Sequence, residues 1–148
     1  MSVTALWYRN ALLGQYGTTS GRRVNWTGDT IKVTLHSSSY VPAQDTHTFQ
    51  SDLTNELSTA GGYTAGGATL ASKTLTLVTP DVVLDAADTA WASATFTART
   101  AVVADTTPGT AATNPLMTFV GFGADVSVSS GTFTIAWATD GVAKHTIT

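Results

Sequence analysis

Few residues in this chain have the types and spacing that chemistry asks for. The histidines are His36, His47 and His145, and no two stand at the His-x-x-x-His spacing that would bring a pair of imidazoles to one metal. His36 and His145 fall at the ends of apolar stretches, where an exposed imidazole is expected. Asp81, Asp85 and Asp88 form the acidic group that could gather on a hard cation. Short acidic residues also settle in turns because they bond to nearby backbone, and that is the expectation here, with no metal and no cofactor. Gly61-Gly62-Tyr63-Thr64-Ala65-Gly66-Gly67 suggests a phosphate cradle, but neither a Gly-Lys-Ser/Thr sequence nor a helical pattern follows it. A loop or a glycine-permitted bend in a strand is expected instead. The chain has no cysteine and no Gly-x-Ser-x-Gly elbow to supply a nucleophile. No catalytic residue is assigned, and the chain is not expected to be an enzyme.

Charge points the same way. Only 11% of the 148 residues are charged and the net charge is −3, whereas about 25% is usual. Arg22-Arg23 is the one basic pair, read as a solvated loop, so nucleic acid is not an expected partner. A surface rich in Thr, Ala and Gly does little to oppose contact with copies of itself or with a large assembly. Without disulfides, packing or oligomerisation must hold the fold. Met1 to Thr4 lacks a basic leader and Trp7-Tyr8-Arg9-Asn10 interrupts any apolar run, so export is not expected. The Asn25-Trp26-Thr27 sequon then carries no weight. No stretch approaches the length of apolar residues that spans a bilayer, so no membrane is expected either.

The elements that would position any site read as strands. Thr132-Phe133-Thr134-Ile135-Ala136-Trp137, Ile31-Lys32-Val33-Thr34-Leu35-His36 and Ala94-Thr95-Phe96-Thr97-Ala98-Arg99 alternate apolar residues with polar or small ones, mostly threonine. Successive strand side chains point to opposite faces, so this period of two marks strands with one buried face. Strands are predicted near 30–37, 68–78, 82–85, 92–104, 116–122, 132–138 and 143–147. Ser129-Ser130-Gly131 is read as a tight turn, and Asp140-Gly141 as the hairpin between the last two strands. Trp91 and Trp137 fall in apolar registers and are assigned to the core. Val3, Leu6, Trp7, Asn10 and Leu13 fall at helical spacing, which predicts a short helix over about 5–14, capped by Thr4 and ended by Gly14 or Gly17. A turn or two of helix is expected near 46–52. The prediction is a single all-β domain over residues 1–148, a β-sandwich or jelly-roll-like fold of about seven to eight strands with a short N-terminal helix. A closed barrel is the second choice.

Several segments together suggest a family. Asp29-Thr30-Ile31-Lys32-Val33-Thr34-Leu35, Ser39-Tyr40-Val41-Pro42 and Asp45-Thr46-His47 resemble the first half of a group of small virion proteins of tailed bacteriophages. Thr54-Asn55-Glu56-Leu57-Ser58 with Gly62-Tyr63-Thr64-Ala65-Gly66-Gly67-Ala68-Thr69-Leu70 is the most specific part of the likeness. Leu84-Asp85-Ala86-Ala87-Asp88-Thr89-Ala90-Trp91, Val120-Gly121-Phe122-Gly123-Ala124-Asp125 and Gly131-Thr132-Phe133-Thr134-Ile135-Ala136-Trp137 resemble its later blocks. The chain departs in its longer Gly14–Gly21 loop and in Ala90 before Trp91.

The resemblance implies a structural virion protein, with head decoration favoured. Its expected partners are the major capsid protein and copies of itself, with a trimer as the expected homo-oligomer. A tail- or neck-associated protein, or a host-surface carbohydrate-binding module, is the alternative. Exposed aromatic side chains would favour the carbohydrate reading, and buried ones the structural reading. The expected contact residues lie outside the alternating core: Leu6, Trp7, Arg9, Asn10 and Leu13 in the N-terminal segment, and Thr107, Pro108 and Asn114 in the 105–115 loop.

Overall fold

A computed structural model of the chain describes residues 4–16 and 23–146. In chain order the elements are β1 (Thr4–Trp7), α1 (Arg9–Tyr16), β2 (Ile31–His36), a 3-10 turn (Gln50–Asp52), β3 (Ala68–Thr69), β4 (Thr74–Val78), β5 (Asp81–Asp85), β6 (Thr89–Asp105), β7 (Leu116–Ile135) and β8 (Ala143–Thr146). The strands form two antiparallel sheets, one of five strands in the order β1-β7-β6-β2-β3 and one of three in the order β4-β5-β8. The all-β fold read from the alternation is therefore the observed one.

The alternation also sets what each face buries. Ile31, Val33 and Leu35 of β2 share a core with Ala101 and Val103 of β6, Val120 and Phe122 of β7, and Leu84 of the small sheet. Leu84 and Val142 bring the small sheet onto this face, and Trp26, Tyr63 and Leu70 fill it from the connections. The residues between, Val102, Ala104, Leu116 and Phe119, point the other way and meet Tyr8, Ala11 and Tyr40. The ends of β6 and β7 nearest the 106–115 loop are thus covered on both faces. That is why Thr100 to Asp105 is buried without interruption, unlike the one-sided alternation elsewhere.

Tertiary pairing overrides local pattern in five places. Residues 4–7 form a strand, not the start of a helix, because Thr4 to Trp7 pair with Gly121 to Thr118 on the edge of β7. The helix follows at Arg9–Tyr16 and buries Tyr8 and Ala11 beside it, leaving Leu13 65% exposed. The predicted 68–78 strand is two strands in different sheets, separated near Ser72, which has φ 51°. Near 46–52 the helix is only a 3-10 turn. Ser129-Ser130-Gly131 is not a turn: the 20-residue β7 runs through it, paired with the 17-residue β6, and absorbs the irregularity as register shifts. Asp140-Gly141 does turn the chain, with Gly141 N–H donating to the Ala138 carbonyl at 2.8 Å. It joins two sheets rather than adjacent strands, because β8 pairs with β5. Val3, Gly17, Arg22 and Ile147, which entered the sequence reading, lie outside the described residues.

The glycine-rich segment is a bend docked on β6. Ala60 and Tyr63 form an isolated bridge, and Thr95 N–H donates to the Gly61 carbonyl at 2.8 Å. Gly61 has φ 55°, and a Cβ there would stand 2.2 Å from the Thr95 carbonyl oxygen, so only glycine allows the approach. The bend delivers Tyr63 into the core, where it lies against Trp91 and Phe96.

Candidate functional site

The two segments set aside as contact candidates meet at one end of the large sheet, and residues 40–53 join them. Tyr8 N–H donates to the Met117 carbonyl, Arg9 N–H to Gln44 and Leu116 N–H to Thr48. The Asn10 amide donates to Thr48 Oγ1 at 2.8 Å. On the other side, the Asn114 amide donates to Gln50 Oε1 at 2.7 Å, and its own oxygen accepts from Gly109 N–H at 2.9 Å. Irregular backbone is affordable here only because side chains satisfy it.

An aromatic network lies underneath. The Tyr8 and Tyr40 hydroxyls are 2.6 Å apart, and Tyr40 Oη is 3.1 Å from His47 Nδ1. The His47 ring stacks on Tyr8 and on Tyr40. Burial pushes both tyrosine hydroxyls up from their ordinary value, so they stay neutral. Asp52 Oδ2 accepts from Thr48 N–H at 2.7 Å and from Phe49 N–H at 2.9 Å. Desolvation works to raise its pKa, but those two N–H donors hold the carboxyl below its usual range.

His36 departs from the sequence reading. It is fully buried, not exposed at a strand end. Its Nδ1 donates to the Thr54 carbonyl at 2.8 Å and its Nε2 lies 2.9 Å from Thr34 Oγ1. The carbonyl fixes the tautomer: the proton sits on Nδ1, and the Thr34 hydroxyl donates to Nε2. Burial lowers the pKa of the ring.

The eight contact candidates divide into two groups. Leu6, Arg9, Leu13, Thr107 and Pro108 are exposed. Arg9 pairs with Asp45 at 2.6 Å with both side chains largely in solvent, where such pairs contribute little. Thr107 also uses its hydroxyl internally, accepting from Thr30 N–H at 2.8 Å. Asn114 is 5% exposed and is an internal staple, not a contact residue. Trp7 and Asn10 are half-buried; Trp7 Nε1 donates to the Lys144 carbonyl at 3.1 Å and the ring stacks on His145. The signal that could have identified the staples is Thr48-x-x-x-Asp52 beside Asn114-Pro115, local side-chain-to-backbone chemistry that hydrophobic periodicity ignores.

The three aspartates do not converge on one point. Asp81 bonds Thr146 at 2.6 Å and Lys144 at 3.4 Å, and the Thr146 hydroxyl and then Lys144 hold its carboxyl low. Asp85 accepts from Ala86 N–H, and Asp88 from Trp137 N–H. An apolar groove of about 530 Å³ runs along β7 past Val126, Val128, Phe133, Ile135 and Trp137. Trp137 is half-buried along it, not in the central core, and its Nε1 is enclosed without a partner among the described residues. Among the described residues none that lines the groove is titratable, so these residues offer no general acid or base. Among the described residues no helix is long and apolar enough to cross a membrane.

No family model matches the chain, and neither a curated protein nor a solved structure matches it.

Proposed function

We propose that this chain is a structural virion protein of a tailed bacteriophage, a decoration protein that attaches to the major capsid protein and to copies of itself. The motifs quoted above supply the virion reading. One structural observation supports a contact role over the carbohydrate-binding alternative: none of the aromatic side chains described is exposed, while Leu6, Leu13, Val41, Leu75, Leu77 and Val78 are. Sugar sites present aromatic faces, whereas exposed aliphatic patches suit protein contacts. Leu13 and Val41, at 65% and 76% exposed, stand on elements locked together by the network beneath them. They form the proposed shell-facing surface.

The test is co-sedimentation of the purified chain with heads that lack it. Removing residues 1–14 would delete β1 and bare Tyr8's partners, so truncation is a poor probe. Leu13→Asp with Val41→Asp is better, since both sites are exposed. Binding at least tenfold weaker with an unchanged melting temperature is expected. Unaltered binding would remove this surface from the proposal. Failure of the native chain to bind heads, with co-purification on tails, would replace the capsid reading with the tail reading.

A further inference from the structure

The outer edges of the two sheets differ in how they are guarded. β3 is two residues long, and β1 ends after four and leads into α1. β8 carries Lys144 and His145, with Trp7 stacked on His145 at 4.6 Å. Beyond β1, β7 carries Asp125, paired with Arg99, and bends where Ser130 has φ 49°. Short length, charge, cover and bulges are the devices that stop an edge from pairing with another chain.

β4 has none of them. Thr74-Leu75-Thr76-Leu77-Val78 contains no charge, proline or glycine, and all five residues are exposed. Among the described residues β5 is the one strand paired with it, and outside that pairing the Trp26 indole N–H donates to the Thr74 carbonyl at 2.9 Å. Leu75 stands opposite Leu84 and Leu77 opposite Val82, so both lie on the face from which Leu84 enters the core. Yet Leu75 is 55% and Leu77 72% exposed. The inner apolar face of the small sheet therefore continues past the core, beside an edge that no other described strand pairs.

We infer that β4 is a homotypic pairing edge, which takes the β4 of a second copy antiparallel across a two-fold axis at Thr76. The strand is self-complementary about that residue. Leu75 would meet the copy's Leu77 on the inner face, while Thr76 meets Thr76 and Thr74 meets Val78 on the other. Such an isologous contact closes at two copies. The absence of charge along the strand leaves nothing to repel an identical partner. Lys73 comes opposite the copy's Thr79, which sets the two lysines about 20 Å apart at ~3.4 Å per residue, beyond the Debye length of about 8 Å at physiological salt. Two five-residue edges with six aliphatic side chains bury less than the roughly 1,200 Å² of a standard stable interface. The pairing is therefore concentration-dependent and is strongest where copies are crowded. It does not rest on a virion role, since the test needs only the purified chain.

The chain has no cysteine, so a single thiol reports one location. Thr76→Cys places two thiols at the proposed axis, and Thr132→Cys, on an exposed position of β7, serves as the control. Under mild oxidation at equal concentration, Thr76→Cys should form a disulfide-linked dimer at least tenfold faster. Sedimentation velocity of the native chain should show dimer growing with concentration. Leu77→Lys should weaken it at least tenfold without changing the melting temperature. Equal cross-linking rates, a native chain that stays monomeric at every concentration, or a dimer indifferent to Leu77→Lys would each overturn the inference.

Discussion

The two faces of the large sheet are covered in opposite ways. One carries a second sheet, and the contact is almost wholly apolar: Trp26, Ile31, Val33, Leu35, Tyr63, Trp91 and Phe133 all lie in one cluster. The other is covered by an eight-residue helix and irregular chain, and there the packing is threaded with hydrogen bonds from Asn10, Tyr40, His47, Asp52 and Asn114. The reason is backbone satisfaction. A sheet pairs its own N–H and C=O groups and can present a purely apolar surface, whereas an irregular cover must find side-chain partners for the groups it buries. The stapled cover presents exposed Leu13 and Val41, while the small sheet presents exposed β4.

The largest effect should come from the apolar face. Trp91→Ala, at a buried position in contact with Tyr63 and Phe133, should cost about 3–5 kcal/mol in urea unfolding. Trp137→Ala, half-buried at the groove, should cost roughly half as much by the same reasoning. Equal losses would mean that the groove is closed in solution.

On the stapled face, Asp52→Ala removes the acceptor of two backbone donors. A loss of about 1.5–3 kcal/mol at neutral pH is expected, the range for hydrogen bonds to a charged group. The native carboxyl is held below its unfolded value of 3.8. Its contribution is therefore present above that pH and fades as the pH falls through the folded value. A variant whose deficit persists unchanged in acid would show that Asp52 acts by packing alone.

His36 gives a smaller, pH-dependent effect on the same face. Its unfolded value is 6.5 and burial lowers the folded one, so below pH 6.5 the unfolded chain takes up a proton that the folded ring resists. Stability should fall on acidification from that point by up to about 1.4 kcal/mol per pH unit, until the folded value is reached. His36→Gln should flatten this part of the curve. An unchanged slope would assign it to other groups.

The smallest effect belongs to the exposed face at the end of β7. Thr134→Ala, at a solvent-facing position of β7, should change stability by less than about 0.5 kcal/mol. A larger loss would mean that this face of β7 is covered in solution.

Much of the fold was legible in the alternation. Period-two patterning depends only on which side chains prefer water, so it placed Ile31, Val33 and Leu35 on one face of β2, and Phe133 and Ile135 on one face of β7, without knowledge of their partners. Partner-dependent features were not legible. Thr4–Trp7 is a strand because β7 offers an edge, although its spacing also suits a helix. Ser129-Ser130-Gly131 stays extended because β6 runs alongside it. His36 and Asn114 look like surface residues until the 40–54 segment folds over the sheet and supplies Thr54 and Gln50 as their partners. The openness of β4 is also a tertiary fact. Leu75 and Leu77 alternate as core residues should, and only the extent of the opposing sheet leaves them in solvent. Local sequence fixes which face a residue prefers, while burial depends on what the rest of the chain brings to that face.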